Sequence, residues 1–403
     1  MLYVRSLQPF PAGSVTFHFL REVGASMSTN RRKFLKGAAA LLAAPTVAKV
    51  AQAQSGFPAG ESLPSVAPVP YKRIATEEAW APKDLVATYR RMAAQKTIDD
   101  PGFNALWARL GSNASLVSRL PDLGEGRIRD MDATGIDMQV LALTSPGVQV
   151  FDAPTANAIA RDTNDEVAEA VRRYPTRFAG LAAAAPQDPS AAAREIQRGV
   201  RTLGLKGVII NSHTRGEFLD ALKFWDIFEA AEALNVPIYL HPQAPPPAMI
   251  EPYVERGLEG AIWGFGAETG LHALAIIRSG VFDRFPKLRL VLGHGGEALP
   301  FWLYRLDYFS THRPNAPKGV TSALKRAPSE YIRENVYVTT SGMAWAPVIT
   351  FLQSVLGMDR VLYAMDYPYQ YEASEVAATD NVPISAGDRK KLFQTNAEHL
   401  FAL

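Results

Sequence analysis

The sequence predicts an α/β fold: a (β/α)8 TIM barrel with a partly helical insertion after its first strand. Two observations predict it. From Tyr71 onward, short apolar runs alternate with stretches of helical periodicity. Ionisable residues also gather directly after several of those runs, and a parallel barrel carries its chemistry at the C-terminal ends of its strands. Alternation alone equally allows a doubly wound sheet. No Gly-x-Gly-x-x-Gly turn follows the first run, which disfavours the dinucleotide-binding version of that sheet.

The expected strands are Arg73–Thr76, Met138–Leu143, Phe178–Ala182, Gly207–Ile210, Pro237–Leu240, Leu288–Leu292, Val336–Thr339 and Val361–Tyr363. Most are short runs rich in Val, Ile or Leu, as strands buried on both faces require. Between them, apolar spacing near 3.6 predicts helices over Thr155–Arg173, Pro189–Leu203, Leu219–Leu234, Glu268–Ser279 and Ala346–Leu356. A closing helix is expected near Ala386–Phe401. Residues from about 80 to 135 break the alternation, with Pro82, Pro101 and Pro121 among them. They read as an insertion capping the barrel mouth, within a single domain spanning 71–403.

Composition narrows the function. The 403 residues are 47% apolar and 20% charged, ordinary globular values, and include no cysteine. Disulfides, thiolate metal sites and cysteine nucleophiles are therefore excluded. The formal charge of +2 is unevenly placed. Residues 1–53 hold seven basic side chains and the single acid Glu22, leaving the remainder at −4. A mildly acidic body argues against a nucleic-acid partner.

The basic end has an order of its own. Arg31-Arg32-Lys33-Phe34-Leu35-Lys36 precedes an apolar stretch from Gly37 to Val50, which leads to Ala51-Gln52-Ala53. Charged, apolar and small-residue regions in that order describe an export signal cleaved near Ala53, with a periplasmic destination. A basic amphipathic tail is the alternative. The paired arginines resemble the twin-arginine type, whose export machinery would then be a partner. The stretch is too short for a membrane anchor. Met27 is the expected start, and residues 54–70, rich in Pro, Ser and Gly, read as a linker.

Polar residues at the strand ends carry the chemistry. The first expected strand runs into Glu77-Glu78, the fifth into His241, the sixth into His294-Gly295-Gly296-Glu297 and the last into Asp366. Any one of them has an ordinary reading, such as a satisfied buried histidine or a turn-initiating aspartate. Together they are hard to explain without a cation, because burying so many ionisable groups is costly unless something balances them.

In these segments the sequence resembles the metal-dependent amidohydrolase superfamily. The resemblance is to its aromatic-acid decarboxylases, related to aminocarboxymuconate-semialdehyde, gamma-resorcylate and dihydroxybenzoate decarboxylases. It runs from Arg73 to Leu403 and rests on Ile74-Ala75-Thr76-Glu77-Glu78, Trp263–Thr269 with His272-Ala273-Leu274, Gly293–Pro300 with Arg305 and Asp307, and Asp366-Tyr367-Pro368. It implies one divalent metal ion held by Glu77, His241 and Asp366, with His294, Glu297 and Asp366 handling protons. Many relatives carry Glu-x-His at the first strand, where this chain has Ala79. Two carboxylates and one imidazole shift the preference from Zn2+ towards Mg2+ or Mn2+. No lysine ends the fourth strand, so the bridge of two-metal relatives is missing.

The activity so implied is non-oxidative decarboxylation of a small hydroxylated aromatic acid, which needs a proton delivered to the ring carbon bearing the carboxylate. Arg305 is a candidate for the substrate carboxylate, or else an ion-pair partner of Asp307. Phe265, with Trp263 and Trp80, could wall an aromatic pocket or simply pack. His213 is a further candidate contact, and His272 reads as structural. A lactonase or amidase on the same scaffold, and a non-catalytic aromatic-acid binding protein, are the alternatives. A homo-oligomer is expected.

Overall fold

The computed structural model describes residues 66–311 and 324–403. The signal, its cleavage point near Ala53 and the linker as far as residue 65 lie outside the described residues. Nine strand segments are β1 (Ile74–Trp80), β2 (Met138–Leu143), β3 (Phe178–Gly180), β4 (Ala182–Ala183), β5 (Val208–Asn211), β6 (Ile238–His241), β7 (Leu290–Leu292), β8 (Val336–Thr339) and β9 (Val361–Leu362). The order is β1-β2-β3 and β4-β5-β6-β7-β8-β9, and every pairing among these strands is parallel. β3 and β4 are one stave parted at Leu181, whose N–H still donates to Leu141 O at 2.9 Å. The ring closes where Thr76 N and Oγ1 donate to Tyr363 O, at 3.0 and 2.9 Å. The predicted eight-stave barrel is therefore present.

Alternation along the staves sorts their side chains into two layers. Leu141, Ile210, Leu240, Leu292 and Val338 pack outward with the helices. Ile74, Val140, Ile209, Tyr239, Val291 and Tyr337 belong to a second cluster that fills the barrel and continues under the insertion. Several helices start where the sequence signals it. Asp152 and Asp188 accept hydrogen bonds from Thr155 N and Ala191 N at the starts of Ala153–Arg173 and Pro189–Arg201, each with proline in the first turn. The helix expected over Leu219–Leu234 is shorter, a 3₁₀ turn Leu222–Phe224 leading into Trp225–Ala233. The closing segment is helical in two pieces, Ala386–Lys390 and Asn396–Phe401, joined by a π-turn over Lys391–Thr395.

The insertion carries four helices, Lys83–Gln95, Pro101–Leu110, Ala114–Arg119 and Glu125–Thr134. Among the described residues no helix is long and apolar enough to cross a membrane.

β1 differs from expectation in a way that builds the site. It runs on past Thr76 through both glutamates to Trp80, entirely buried. Its register against β2 shifts between Ala75 and Glu78, where three steps on β1 match two on β2. Strict alternation from the inward Ile74 would point Glu78 into the barrel and Glu77 out of it. The bulge inverts this, so Glu77 faces the lumen and meets Tyr239. Ala79 then also faces inward, within the second cluster.

Candidate active site

Glu77 stands at the centre of the C-terminal mouth. Its Oε2 accepts hydrogen bonds from Tyr239 OH and, at 2.8 Å, from Thr339 Oγ1. Its Oε1 is buried without a hydrogen-bond partner among the described residues. Two imidazole nitrogens flank that oxygen: His241 Nε2 at 3.4 Å and His294 Nε2 at 3.5 Å. Ligand-type atoms of Glu77, His294 and Asp366 all lie within 4.8 Å of one another.

Each histidine has its other nitrogen committed. His241 Nδ1 donates to Pro242 O at 2.8 Å, which leaves the Nε2 lone pair facing Glu77. Burial lowers the pKa of His241, keeping that lone pair available. His294 Nδ1 lies 2.8 Å from Glu297 Oε1. Burial opposes charge on His294, but the carboxylates of Glu77, Glu297 and Asp366 outweigh it and push its pKa up to about 10. Burial, and next the Glu77 carboxylate, raise Asp366 well above the usual range.

The turn that presents His294 follows β7. Residues 294–298 run through five consecutive positive φ values: 49°, 72° and 80° at His294, Gly295 and Gly296, then 51° and 62° at Glu297 and Ala298. Glycine is required at the middle, since a Cβ on Gly296 would come within 2.7 Å of Val338. Asp366 is likewise left-handed, with φ of 74°. Non-glycine residues held this way collect at functional sites.

A cavity of about 400 Å³ opens onto these groups. His241, His294, Asp366, Thr144, Ser145 and Tyr369 line it on the barrel side. Leu106, Arg109 and Leu110 from the insertion, with Ile262 and Phe265, complete it. It is of the size and mixed lining that takes a small aromatic ligand. The orphaned Glu77 oxygen, the crowded carboxylates and the imidazole lone pair fit a divalent cation, with oxygen donors suited to Mn2+ or Mg2+.

The structure thus gathers Glu77, His241, His294, Glu297 and Asp366 in one place and brings Phe265 to the cavity wall. It corrects other expectations. His213 is buried away from the cavity, sharing its ring nitrogens with Ala244 O and Gly216 N, and burial lowers its pKa to about 4. Arg305 is exposed on the helix Leu299–Thr311, its guanidinium over the rings of Phe309 and Trp302. Asp307 accepts from Ser329 N instead of pairing with it. Trp80 is fully buried and Trp263 exposed, and neither lines the cavity. Arg109, Ser145 and Tyr369 were missed. Arg109 sits in the irregular insertion where no periodicity flagged it, whereas Tyr369, three residues after Asp366, could have been found by its place in the same turn.

Residues 105–403 match the amidohydrolase family model. Gamma-resorcylate decarboxylase of Polaromonas sp. (strain JS666) is 39% identical over 296 residues, covering 72% of this chain and 90% of its own. The 5-carboxyvanillate decarboxylase of Novosphingobium aromaticivorans, solved with manganese and 4-hydroxy-3-methoxy-5-nitrobenzoic acid, superposes with a TM-score of 0.81 at 50% identity, over 83% of this chain and 97% of that one. A dihydroxybenzoic acid decarboxylase from Polaromonas sp. JS666, with manganese and 2-nitroresorcinol, gives 0.72 at 36% identity over 83% and 97%. The chain belongs to the amidohydrolase family.

Proposed function

We propose that this protein removes carbon dioxide from a hydroxylated aromatic acid by a non-oxidative, metal-dependent route, with 5-carboxyvanillate or a ring of the same pattern as its substrate. The enzyme class is that of its relatives, a carboxy-lyase using one divalent ion, Mn2+ favoured. The observation that carries the reading is the Glu77 Oε1 atom, buried, unpartnered and flanked by the two imidazoles that line the cavity.

Glu77, His241 and Asp366 would hold the ion. A divalent ion held by these residues would supply Lewis-acid charge to offset the substrate's negative oxygens and help orient the ring. His294 is assigned the proton. Glu297, hydrogen-bonded to its Nδ1 from behind, fixes its orientation and favours its charged form, so that Nε2 faces the cavity as the proton donor. The proton goes to the ring carbon bearing the carboxylate, the bond from that carbon to the carboxyl carbon breaks, and its electron pair restores the aromatic ring as carbon dioxide leaves. Thr144 and Tyr369, hydrogen-bonded to each other, and Phe265 shape the wall around the ring.

Arg109 supports the finer substrate assignment. It is the one charged residue of the described lining outside the cluster around Glu77, and it is anchored to Glu259 at 2.9 Å. A second carboxylate on the ring, as in 5-carboxyvanillate, would meet it. Carbon dioxide release should therefore be faster from 5-carboxyvanillate than from 2,6-dihydroxybenzoate, and Arg109→Met should erase most of that difference. Equal rates on both acids would remove the assignment.

Two further readings rest on other features. The helix Leu299–Thr311 exposes Phe301 and Tyr304 (74% and 82%) beside Trp302, an apolar face suited to a second copy of the chain in a homo-oligomer. Export to the periplasm through the twin-arginine route rests on residues 28–53 of the sequence. Replacing Arg31 and Arg32 together by lysine should leave the precursor in the cytoplasm, and unchanged export would remove that route.

A further inference from the structure

The neighbour of Glu77 does separate work. Glu78 points out of the barrel and accepts hydrogen bonds from Met365 N at 3.0 Å, through Oε1, and from Tyr367 N at 3.2 Å, through Oε2. These amides stand on either side of Asp366, whose φ of 74° is one that a non-glycine residue leaves unless its surroundings hold it. Gln139 Nε2 donates to the same carboxylate at 3.4 Å.

Behind it lies Arg127, fully buried, from the insertion helix Glu125–Thr134. Its guanidinium donates to Ala79 O at 2.7 Å, Asp122 O at 2.8 Å and Gln139 Oε1 at 3.1 Å, and lies 4.4 Å over the Tyr367 ring. Asp130 on the same helix accepts from Tyr367 OH at 2.8 Å. The residue after Asp366 is thus held at its amide, its ring face and its hydroxyl.

We propose that Glu78, backed by Arg127, is a positioning residue that holds the Asp366 turn in its working geometry and ties it to the insertion. The proposal rests on the assignment of Asp366 to the reaction. A carboxylate suits the place because two amide donors converge on it, and an amide side chain would turn an NH2 towards one of them. Displacing a reacting group by about 1 Å can cost about 100-fold in rate.

Glu78→Gln tests it in the manganese-loaded enzyme. The expected result is a kcat lower by roughly 10- to 100-fold, KM within about two-fold, a changed electron paramagnetic resonance spectrum of the bound Mn2+, and a melting temperature near that of the parent. An unchanged kcat per metal-loaded site would overturn the proposal, as would a loss matched by the fraction of protein unfolded with an unchanged spectrum. If Glu78→Gln gives no folded protein, Tyr367→Phe, which keeps the ring and frees it from Asp130, decides by the same readings with a several-fold fall expected. Asp366→Asn separates the two levels. Full activity there would remove Asp366 from the reaction, whereas an inactive Asp366→Asn beside a fully active Glu78→Gln would sink the positioning role alone.

Discussion

At the scale of single residues, the site works by committing one atom of each side chain and leaving the other free. Tyr239 and Thr339 occupy one oxygen of Glu77, Pro242 O occupies one nitrogen of His241, and Glu297 occupies one nitrogen of His294. Such supporting partners orient ligands and tune their basicity. The two histidines are thereby made unlike: His241 is backed by a neutral backbone carbonyl, His294 by a carboxylate. His294→Ala should leave about one divalent ion per chain by metal analysis while turnover falls by roughly 10²–10⁴-fold, the usual contribution of a general acid. Loss of the ion in that variant would make His294 a ligand instead. Glu77, His241, His294 and Asp366 were legible because each comes at or just past the end of an apolar run, and Glu297 because it follows three residues after His294. His213 and Arg305 were not. His213 follows a strand but turns into the protein at Ser212, whose φ is 46°, and the sequence gives no sign of that turn. Arg305 lies on the helix Leu299–Thr311, and which face of that helix meets the cavity is set by tertiary packing.

At the scale of elements, apolar periodicity located the staves to within a few residues, and Met138–Leu143 and Val336–Thr339 to the residue. It failed where polar side chains continue a strand. The expected strand ends at Thr76 because two adjacent glutamates look like solvent, yet both are buried, Glu78 bonded through both oxygens and Glu77 through one. The helix Gly264–Arg278 shows a second buried polar group of this kind. Its Glu268 accepts from Ser212 Oγ at 2.6 Å and Thr269 Oγ1 at 2.8 Å, while His272 Nε2 accepts from Leu219 N at 2.8 Å. Burial raises the Glu268 pKa to about 8 from an ordinary 4.5. Between those values the folded protein binds a proton that the unfolded chain does not, so this group's contribution to stability falls as pH rises. Glu268→Gln removes that dependence. Measured by denaturant unfolding, the variant's stability relative to the parent should increase from pH 5 to pH 8, by up to about 1.4 kcal/mol per pH unit. A difference independent of pH would mean that Glu268 stays ionised.

At the scale of the whole molecule, the insertion and the barrel are one working unit. The helix Pro101–Leu110 walls the cavity with Leu106, Arg109 and Leu110, while Glu125–Thr134 grips the turn that carries Asp366. The aromatic side of Leu299–Thr311 is a separate surface. Phe301→Glu combined with Tyr304→Glu should lower the mass found by sedimentation equilibrium to that of one chain. A parent protein that already sediments as a monomer would remove the homo-oligomer.

The barrel's closing seam has a consequence of its own. β9 is two residues long, so few ladder bonds join the last stave to the first. Thr76 and Ala79 supply part of the union by donating to Tyr363 O and Tyr367 O. The same two staves present Glu77 and Asp366, one on each side of the join. An ion shared between them would act as a clasp, linking the beginning of the barrel's sequence to its end and closing a loop over most of the barrel. At a hundred times its dissociation constant, it would add about 2.7 kcal/mol to the folded state. Catalytic cofactor and structural fastener would then be the same atom, and stripping it would loosen the cylinder along the line where its chemistry is done.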